Sequence, residues 1–375
     1  MIRIAIIGLG AAARNIHLPA YSKLRGKVRV VAGCDPDEGA RASQSAKWGL
    51  PEVYEDPRAM IESTKPDVVS ICTPPHLHHE QSSMALGYGC HVFCEKPLAD
   101  DLQEVDDLIA KAEAADRLLV VNSEFPFMNI HASAKKLIGS PRFGRLLFLH
   151  ASQTFRPTEA TEAGWRQEMS RRLGLEFGVH VLDLVRFFFG EDPVRIFAHM
   201  PRGSTKARSD VINVISLEFS DGRGASIVLD RLSKGPERYL KMRLDGEFAT
   251  IETSIGGEVR LEVGLHTRAR RPYMRLGLAK GGTAVLQNGD RSTTIAREGI
   301  NPFADATAVH FANMIEAIQN GGEPPGNARD NRRTLGLVFA AYDSAQSGEA
   351  LDTDSYLTGA GDSVTNPPGR RQGEA

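Results

Sequence analysis

The chain reads as an α/β protein that begins with a parallel sheet and continues as a run of antiparallel strands. Three features carry this reading. The first 120 or so residues alternate short apolar, β-branched runs with helix-like stretches. Those apolar runs are nearly continuous, as strands covered on both faces are. From Phe143 onward the pattern changes to closely spaced strands punctuated by turns such as Asp221-Gly222, Asp245-Gly246 and Gly256-Gly257. At 375 residues the chain exceeds what one core comfortably covers, so two domains are expected.

The elements follow in order. Ile2–Ile7 is a β-type run ended by Gly8, and Ala11–Leu24 has helical content. Val28–Cys34 is apolar and β-branched, Arg41–Trp48 helical, and Val68–Cys72 a strand closed by Thr73-Pro74-Pro75. Glu80–Tyr88 is helical, and His91–Cys94 is the next strand. Asp100–Ala115 is an amphipathic helix with Leu102, Val105, Leu108, Ile109 and Ala112 on one face. Leu118–Val121 ends the parallel series. In the second half Leu146–Ser152, Val194–His199, Val211–Phe219, Ala225–Leu229, Tyr239–Leu244, Phe248–Thr253, Glu258–Val263 and Thr283–Leu286 read as strands. Asn301–Asn320 and Asp330–Gly348 read as helices, and the Gly-, Ser-, Pro- and Arg-rich end from about residue 352 as a disordered tail.

Composition excludes some functions. Hydrophobic residues make up 41% and charged residues 25%, with a net charge of −2. That argues against a general nucleic-acid or membrane-surface role. No apolar run approaches a membrane span, and MIRIAIIGLG lacks the basic lead of a signal peptide. Cys34, Cys72, Cys90 and Cys94 lie in apolar, strand-like contexts, which suggests reduced thiols in a cytoplasmic protein.

The first strand ends in Gly8-Leu9-Gly10-Ala11-Ala12-Ala13, a GxGxxA loop with a strand before it and a helix after it. Gly8 makes the turn, Gly10 lets a pyrophosphate approach the backbone, and Ala13 permits close helix–strand packing. Asp35 ends the second strand 22 residues after Ala13, near the offset of an acid that binds ribose hydroxyls. A carboxylate there repels a 2′-phosphate, so NAD is favoured over NADP, although Arg41 and Lys47 stand nearby.

Two further clusters attract chemistry. Lys96, in His91-Val92-Phe93-Cys94-Glu95-Lys96-Pro97, is an ammonium at the end of an apolar strand, costly there unless paired or used. Proline follows at once, and a cis Lys96–Pro97 bond is a testable expectation. The periodicity of Leu175–Phe189 fits a helix on which Glu176 and His180 share a face, with Asp183 one turn on. Taken alone, the plain reading is that Glu176 pairs with His180 and Asp183 caps it. Gly178 inside that helix calls for a close approach. His76, His78, His79, Cys90, His91 and Cys94 match no strong zinc spacing, and no metal is expected.

Together GxGxxA, Thr73-Pro74-Pro75-His76-Leu77-His78, Glu95-Lys96-Pro97 and the Glu176…His180…Asp183 helix resemble the Gfo/Idh/MocA oxidoreductases over roughly residues 1–350. The resemblance implies an N-terminal Rossmann domain with a parallel sheet. It also implies a C-terminal α/β domain with an open-faced, mostly antiparallel sheet. On this basis residues 1–124 are the NAD-binding domain and 125–300 the substrate and oligomerisation domain. Residues 301–351 are helices packed back on the first domain, and 352–375 the tail. The implied activity is nicotinamide-dependent oxidation or reduction of a sugar, sugar derivative or cyclitol.

The implied catalytic set is Lys96, His180 and Glu176. The implied cofactor set is Gly8, Gly10, Ala11, Ala12, Ala13, Asp35, Thr73, Pro74, His78, Glu95 and Lys96. Glu176 stands where the family has Asp, which puts its part in orienting Lys96 or His180 in question. Asn122–Phe127 lacks the basic residue often found near that point. In the implied chemistry His180 is the base for the hydroxyl proton, and Lys96 stabilises alkoxide character on the same oxygen. Trp165, Arg166 and Asp183 are candidate substrate contacts. Arg156, Arg171 and Arg172 lie in or beside the same segment. The expected partners are a small polyol or sugar and further copies of the chain, as a homodimer or homotetramer. Two rivals remain: a glycoside-cleaving enzyme that uses bound NAD for transient oxidation, and a non-catalytic nucleotide-binding sensor.

Overall fold

The computed structural model describes residues 1–155, 158, 162–201, 209–234, 238–256, 258–265, 272–279 and 281–358. The first sheet is built from β1 (Ile2–Ile7), α1 (Leu18–Lys23), β2 (Val28–Cys34), α2 (Glu38–Trp48), β3 (Val53–Tyr54), α3 (Pro57–Thr64), β4 (Val68–Ile71), α4 (His78–Gly87), β5 (His91–Glu95), α5 (Leu102–Ala114) and β6 (Leu119–Asn122). Its order is β3-β2-β1-β4-β5-β6, with every pair parallel. The order reverses between β1 and β4, so the crevice beyond their carboxyl ends is the ligand position of such a sheet.

Helix starts explain two departures from the sequence reading. Asp37 caps α2 by accepting from Gly39 N at 2.8 Å, so the helix opens three residues before Arg41. Asp56 caps α3, with Pro57 in its first turn. That helix buries only Met60, Ile61 and Thr64, too little periodicity to announce itself.

The second half supplies α6 (Asn129–Leu137), β7 (Leu146–Thr154), α7 (Val179–Phe189), β8 (Arg195–His199), β9 (Ile212–Glu218), β10 (Gly224–Asp230), β11 (Arg238–Gly246), β12 (Thr250–Ile255), β13 (Glu258–Leu265), β14 (Pro272–Ala279), β15 (Gly282–Asn288) and β16 (Arg291–Arg297). Then come α8 (Pro302–Asn320), α9 (Ala328–Ser347), β17 (Leu351–Asp352) and α10 (Asp354–Thr358). The large sheet runs β16-β15-β12-β11-β7-β10-β9-β8-β17, and β13 and β14 form a separate ribbon. It is antiparallel except between β7 and β10. Strands such as β9 and β10 bury alternate residues, so one face packs on helices and the other is open.

The sequence reading misses β14, and also β16, whose residues are largely polar, and it places Phe248 in a strand. Phe248 instead sits 59% exposed in the turn between β11 and β12. The expected tail also needs correcting. Leu351 pairs with Ile196, Thr353 is buried, and the Tyr356 hydroxyl donates to Asp343 at 2.7 Å, so residues 351–358 are packed against α9 and β8. The remainder of that expected tail, 359–375, lies outside the described residues. Among the described residues no helix is long and apolar enough to cross a membrane.

The two halves share their cores. Phe311, Met314 and Ile315 of α8 join Ile2, Ile4, Ile6, Phe93 and Val120 in one buried cluster over a face of the parallel sheet. Each such side chain contributes about 1.5–3 kcal/mol of burial. Beneath the carboxyl ends of the strands runs a buried polar chain. The Tyr21 hydroxyl donates to Ser70 Oγ at 2.8 Å, and Ser70 Oγ meets His17 Nδ1 at 3.0 Å. His17 Nε2 meets Glu95 Oε1 at 2.8 Å, and Asn122 Nδ2 donates to the same oxygen at 2.8 Å. Thr307 of α8 donates to Asn122 Oδ1 at 3.3 Å. This chain ties the first helix, β4, β5, β6 and α8 together.

Burial opposes a charge on His17, but Cys72, Tyr21 and the Glu95 hydrogen bond outweigh it and raise its proton affinity well above the ordinary value. Burial likewise raises Glu95, but the His17 hydrogen bond and charge, Lys96 and Asn122 hold its carboxyl below the usual range. The pair is therefore ionic. Glu95→Leu leaves His17 and Asn122 buried with unmade bonds, and we predict a loss of about 3–5 kcal/mol in urea unfolding. A loss below about 1 kcal/mol would show that the polar chain does not hold the strand ends.

Candidate active site

The glycine loop is built for a dinucleotide phosphate. Gly8 has φ +87°, and a Cβ there would meet the Cys72 main chain at 2.9 Å, so only glycine makes this turn. At Gly10 nothing lies within 4 Å of where a Cβ would be, and Gly10 and Ala11 are exposed. A pyrophosphate has open access there to the N-terminus of the helix that starts at Ala11. Ala13 is buried against the strands. Asp35 accepts from Leu9 N at 2.8 Å through one oxygen and from Asp37 N at 2.9 Å through the other. Each oxygen keeps capacity for a ribose hydroxyl. Arg41 is spent on main-chain oxygens, donating to Asp35 O at 2.7 Å and Pro36 O at 2.9 Å. Lys47 lies over the Trp48 ring. These residues fit NAD, with a carboxylate where a 2′-phosphate would stand.

Thr73 and Pro74 are half-buried on the loop after β4. His78 is fully buried, with Nδ1 2.7 Å from Pro97 O and Nε2 2.8 Å from Thr73 O. Burial lowers its proton affinity against these two carbonyls. Its expected place at the cofactor becomes an indirect one, since its ring stands between the Thr73 carbonyl of the β4 loop and the Pro97 carbonyl of the turn after Lys96, with one N–H to donate. The Lys96–Pro97 bond is cis.

The catalytic candidates converge. Among the described residues the chain has two π-helical turns, Ala13–His17 and Gly174–Gly178. The first leads to His17 under Glu95. The second opens the helix that continues as α7, and its wide turn offers the Glu176 carbonyl, to which Lys96 Nζ donates at 2.7 Å. The close approach expected at Gly178 is by Leu229 of β10, whose side chain lies 3.1 Å from where a Cβ would be. His180 is buried and stacks on Phe125, with ring centroids 4.0 Å apart and planes within 10°. Burial, and then the Lys96 charge, drives its proton affinity well below the ordinary histidine value. Its Nδ1 has no hydrogen-bond partner among the described residues. The ring is therefore neutral and oriented by stacking.

This corrects the pairing drawn from helical spacing. Glu176 does not hold His180. Its carboxylate accepts from Arg166 Nε at 2.5 Å and Arg172 Nε at 2.7 Å. Burial raises Glu176, but Lys96 and the two arginines win, and the group lies below the usual carboxylate range. Nor does Asp183 cap the histidine. It accepts from Thr334 Oγ1 at 3.3 Å and faces a separate cavity of about 1070 Å³ lined also by Lys135, Arg186 and Asp330. Burial, with Asp330 nearby, pushes its carboxyl up to about 7. Asp183 therefore stands away from the expected substrate position. Trp165 and Arg166 do reach the site: the Arg166 guanidinium lies 4.2 Å over the Trp165 ring while it binds Glu176. Arg171 instead lies over Phe339 and Tyr342, and Arg156 falls outside the described residues.

Several residues of the site were not foreseen. Arg172 also meets Glu162 at 2.9 Å, and Glu162 meets Arg231 at 2.5 Å, extending the ion-pair chain away from Lys96. Arg172 and Glu176 stand i,i+4, the same spacing that suggested Glu176 with His180, so the helical pattern did hold this signal. His17, Asn122 and Glu124 carried no local sign. The histidines and cysteines that invite a zinc reading have separate partners: His79 meets Asp107 at 2.6 Å, Cys90 donates to Pro66 O at 3.3 Å, and His91 Nδ1 accepts from Leu118 N at 2.9 Å. Among the described residues no group of three potential ligands could hold a metal ion.

Lys96 and His180 thus bring an ammonium and a neutral imidazole to the crevice that the glycine loop opens. That pair can take a proton from, or return one to, a hydroxyl whose oxygen the ammonium stabilises.

The sequence profile described as the oxidoreductase family with an NAD-binding Rossmann fold matches residues 2–123, and the C-terminal domain profile of the same family matches 131–252. D-apiose dehydrogenase of Paraburkholderia graminis is 28% identical over 94% of this chain and 89% of its own. D-glucoside 3-dehydrogenase of Escherichia coli is 29% identical over 94% of this chain and 97% of its own. The crystal structure of an oxidoreductase from Agrobacterium radiobacter in complex with NAD+, L-tartaric acid and magnesium shares the fold. Its TM-score is 0.80 at 21% identity, over 95% of this chain and 99% of that one. With the two profiles together matching well over half of its length, this chain belongs to the Gfo/Idh/MocA oxidoreductase family.

Proposed function

We propose that the protein is an NAD-dependent dehydrogenase or reductase acting on a secondary alcohol of a sugar, sugar derivative or cyclitol. The observation that carries this reading is the meeting of Lys96, from the end of β5, with the helix that bears Glu176 and His180. Bound NAD would supply the hydride acceptor or donor. The chain's own residues do the rest. Gly10 and the helix start would hold its pyrophosphate, and Asp35 its ribose. Lys96 spends one N–H on the Glu176 carbonyl and keeps donors for the reacting oxygen. His180, held neutral by burial and the Lys96 charge, takes the hydroxyl proton in oxidation and returns it in reduction. Trp165 offers a face to a sugar ring, and Arg166, stacked on it, offers polar contacts beside Glu176.

The names of the relatives support a polyol or sugar, since those proteins act on D-apiose and D-glucosides. The four cysteines are free and buried, which suits a reducing, cytoplasmic setting. The open sheet face carries Phe148, Phe197 and Val214, each 37–43% exposed, and suits pairing with a second copy.

A panel of sugars, glycosides and cyclitols assayed for NADH formation with NAD and NADP tests the reading. We predict turnover with NAD on at least one free polyol or sugar. Glycoside cleavage without NADH release would replace it with the transient-oxidation chemistry. Nucleotide binding with no turnover on any member would favour a sensor.

Lys96→Ala and His180→Ala should each lower kcat by about 10²–10⁴-fold and leave NAD affinity within a few-fold. Full turnover in either variant would remove that residue from the chemistry. Because the His180 proton affinity is depressed, its basic form persists below the ordinary pKa of about 6.5. The acid limb of kcat/KM for oxidation should therefore lie below that value, and a limb at or above it would contradict a neutral His180. Phe197→Glu with Val214→Lys should shift the protein to monomer in size-exclusion chromatography. An unchanged elution volume would leave the open face without that role.

A further inference from the structure

The Arg166 guanidinium presents donors that the chain itself does not use. It lies 4.2 Å over the Trp165 ring, and its Nε donates to Glu176 Oε1 at 2.5 Å. These contacts hold the group at a face and at one edge. Its two terminal nitrogens make no hydrogen bond among the described residues. The Arg166 side chain is 35% exposed, whereas Arg172, on the other oxygen of Glu176, is 2% exposed. Arg166 is thus the outward member of the pair, with a planar fork of N–H donors in a set orientation. Such a fork matches the two oxygens of a carboxylate. Fixing it before a ligand arrives reduces the entropy lost on binding.

Arg166 and Lys96 meet the same residue. Lys96 Nζ donates to the Glu176 carbonyl at 2.7 Å, and Arg166 binds the Glu176 carboxylate. Those two oxygens of one glutamate are six bonds apart, so at most about 7 Å. Even along a fully extended path, the Lys96 ammonium and the Arg166 terminal nitrogens are then within about 14 Å. A hydrogen bond of about 2.8 Å at each end leaves at most about 8 Å for a ligand that bridges them. In a sugar acid, a hydroxyl on the fifth carbon and a carboxylate oxygen on the first are also six bonds apart, about 7 Å.

Charge points the same way. Glu176 is shared by Arg166 and Arg172, and Glu162 by Arg172 and Arg231. Lys96 adds its charge at the Glu176 carbonyl. Among the described residues this run of contacts holds four cations to two carboxylates, with Arg166 at its open end. On the reading that Lys96 holds the reacting oxygen, we propose that the substrate is a sugar or polyol that carries a carboxylate, an aldonate or a uronate. Its carboxylate takes the Arg166 fork while one of its hydroxyls meets Lys96. Held there, the carboxylate also selects which hydroxyl reaches Lys96. Arg166 is then the residue that sets both the charge class of the substrate and the carbon brought to the nicotinamide.

The test measures kcat/KM with NAD for pentonates, hexonates and hexuronates, each beside its primary amide, which keeps the shape and loses the charge. Neutral sugars and sugar phosphates complete the set. In the wild type the best acid should exceed its own amide by about 10- to 100-fold, chiefly through KM. Added salt should narrow that gap. Arg166→Gln should bring acid and amide to within about threefold of each other. Arg166→Lys keeps the charge without the fork and should leave an intermediate gap. Trp165→Ala frees the guanidinium and should narrow the gap with every charge in place. An acid no better than its amide in the wild type overturns the proposal, as does a gap that survives Arg166→Gln, or a sugar phosphate preferred over every acid. Turnover of neutral sugars alone overturns this inference and leaves the dehydrogenase reading standing. Turnover of no member of the set removes that reading, and this inference with it.

Discussion

The Lys96 ammonium reaches from the end of β5 to the main-chain carbonyl of Glu176, and the two halves of the site have meaning only through that contact. On the first side the lysine is held by what precedes and follows it. Glu95 is pinned by His17 and Asn122, and Pro97 is tied through His78 to the β4 loop. On the other side the carbonyl lies in the π turn that opens the helix, where Lys96 meets it. A lysine can thus stand half-buried at a strand end with one donor satisfied and others available.

Charge in the site is sorted by environment. His17 and Glu95 are buried together and form an ionic pair. His180 is buried without an acid and beside a cation, so it is neutral. Glu176 is gripped by two arginines and stays anionic, while its carbonyl accepts from Lys96. Its two carboxylate oxygens take Arg166 and Arg172, one each, so it is bound away from the histidine. Among the described residues His180 Nδ1 meets no acid, and Phe125 stacks on the ring.

Much of this was legible in the chain. The alternation of apolar runs and helices gives the parallel sheet, and GxGxxA with Asp35 gives its nucleotide edge. Lys96, Glu176 and His180 stand in strings whose local composition marks them. The partners that hold them were not legible, because they come from far away. His17 is 78 residues from Glu95, and Lys96 is 80 from Glu176. Such contacts depend on the crossing of whole elements, which no window of sequence contains. Helical spacing misled in one place: Glu176 has an i,i+4 neighbour on each side, His180 and Arg172, and the cation at Arg172 is the one that its carboxylate binds. Short elements failed for another reason. α3 and α6 each bury only three side chains, one of them polar, so neither shows the apolar stripe of a longer helix.

The central claim is that one substrate oxygen is shared by Lys96 and His180. A crystal structure of the protein with NADH and a substrate from the active panel tests it directly. A shared oxygen predicts a substrate atom within about 3.2 Å of both Lys96 Nζ and a ring nitrogen of His180, with the nicotinamide ring beside it. A substrate bound with its reacting carbon at the nicotinamide but with Lys96 donating to no substrate oxygen, or with His180 in contact with no substrate oxygen, would contradict it.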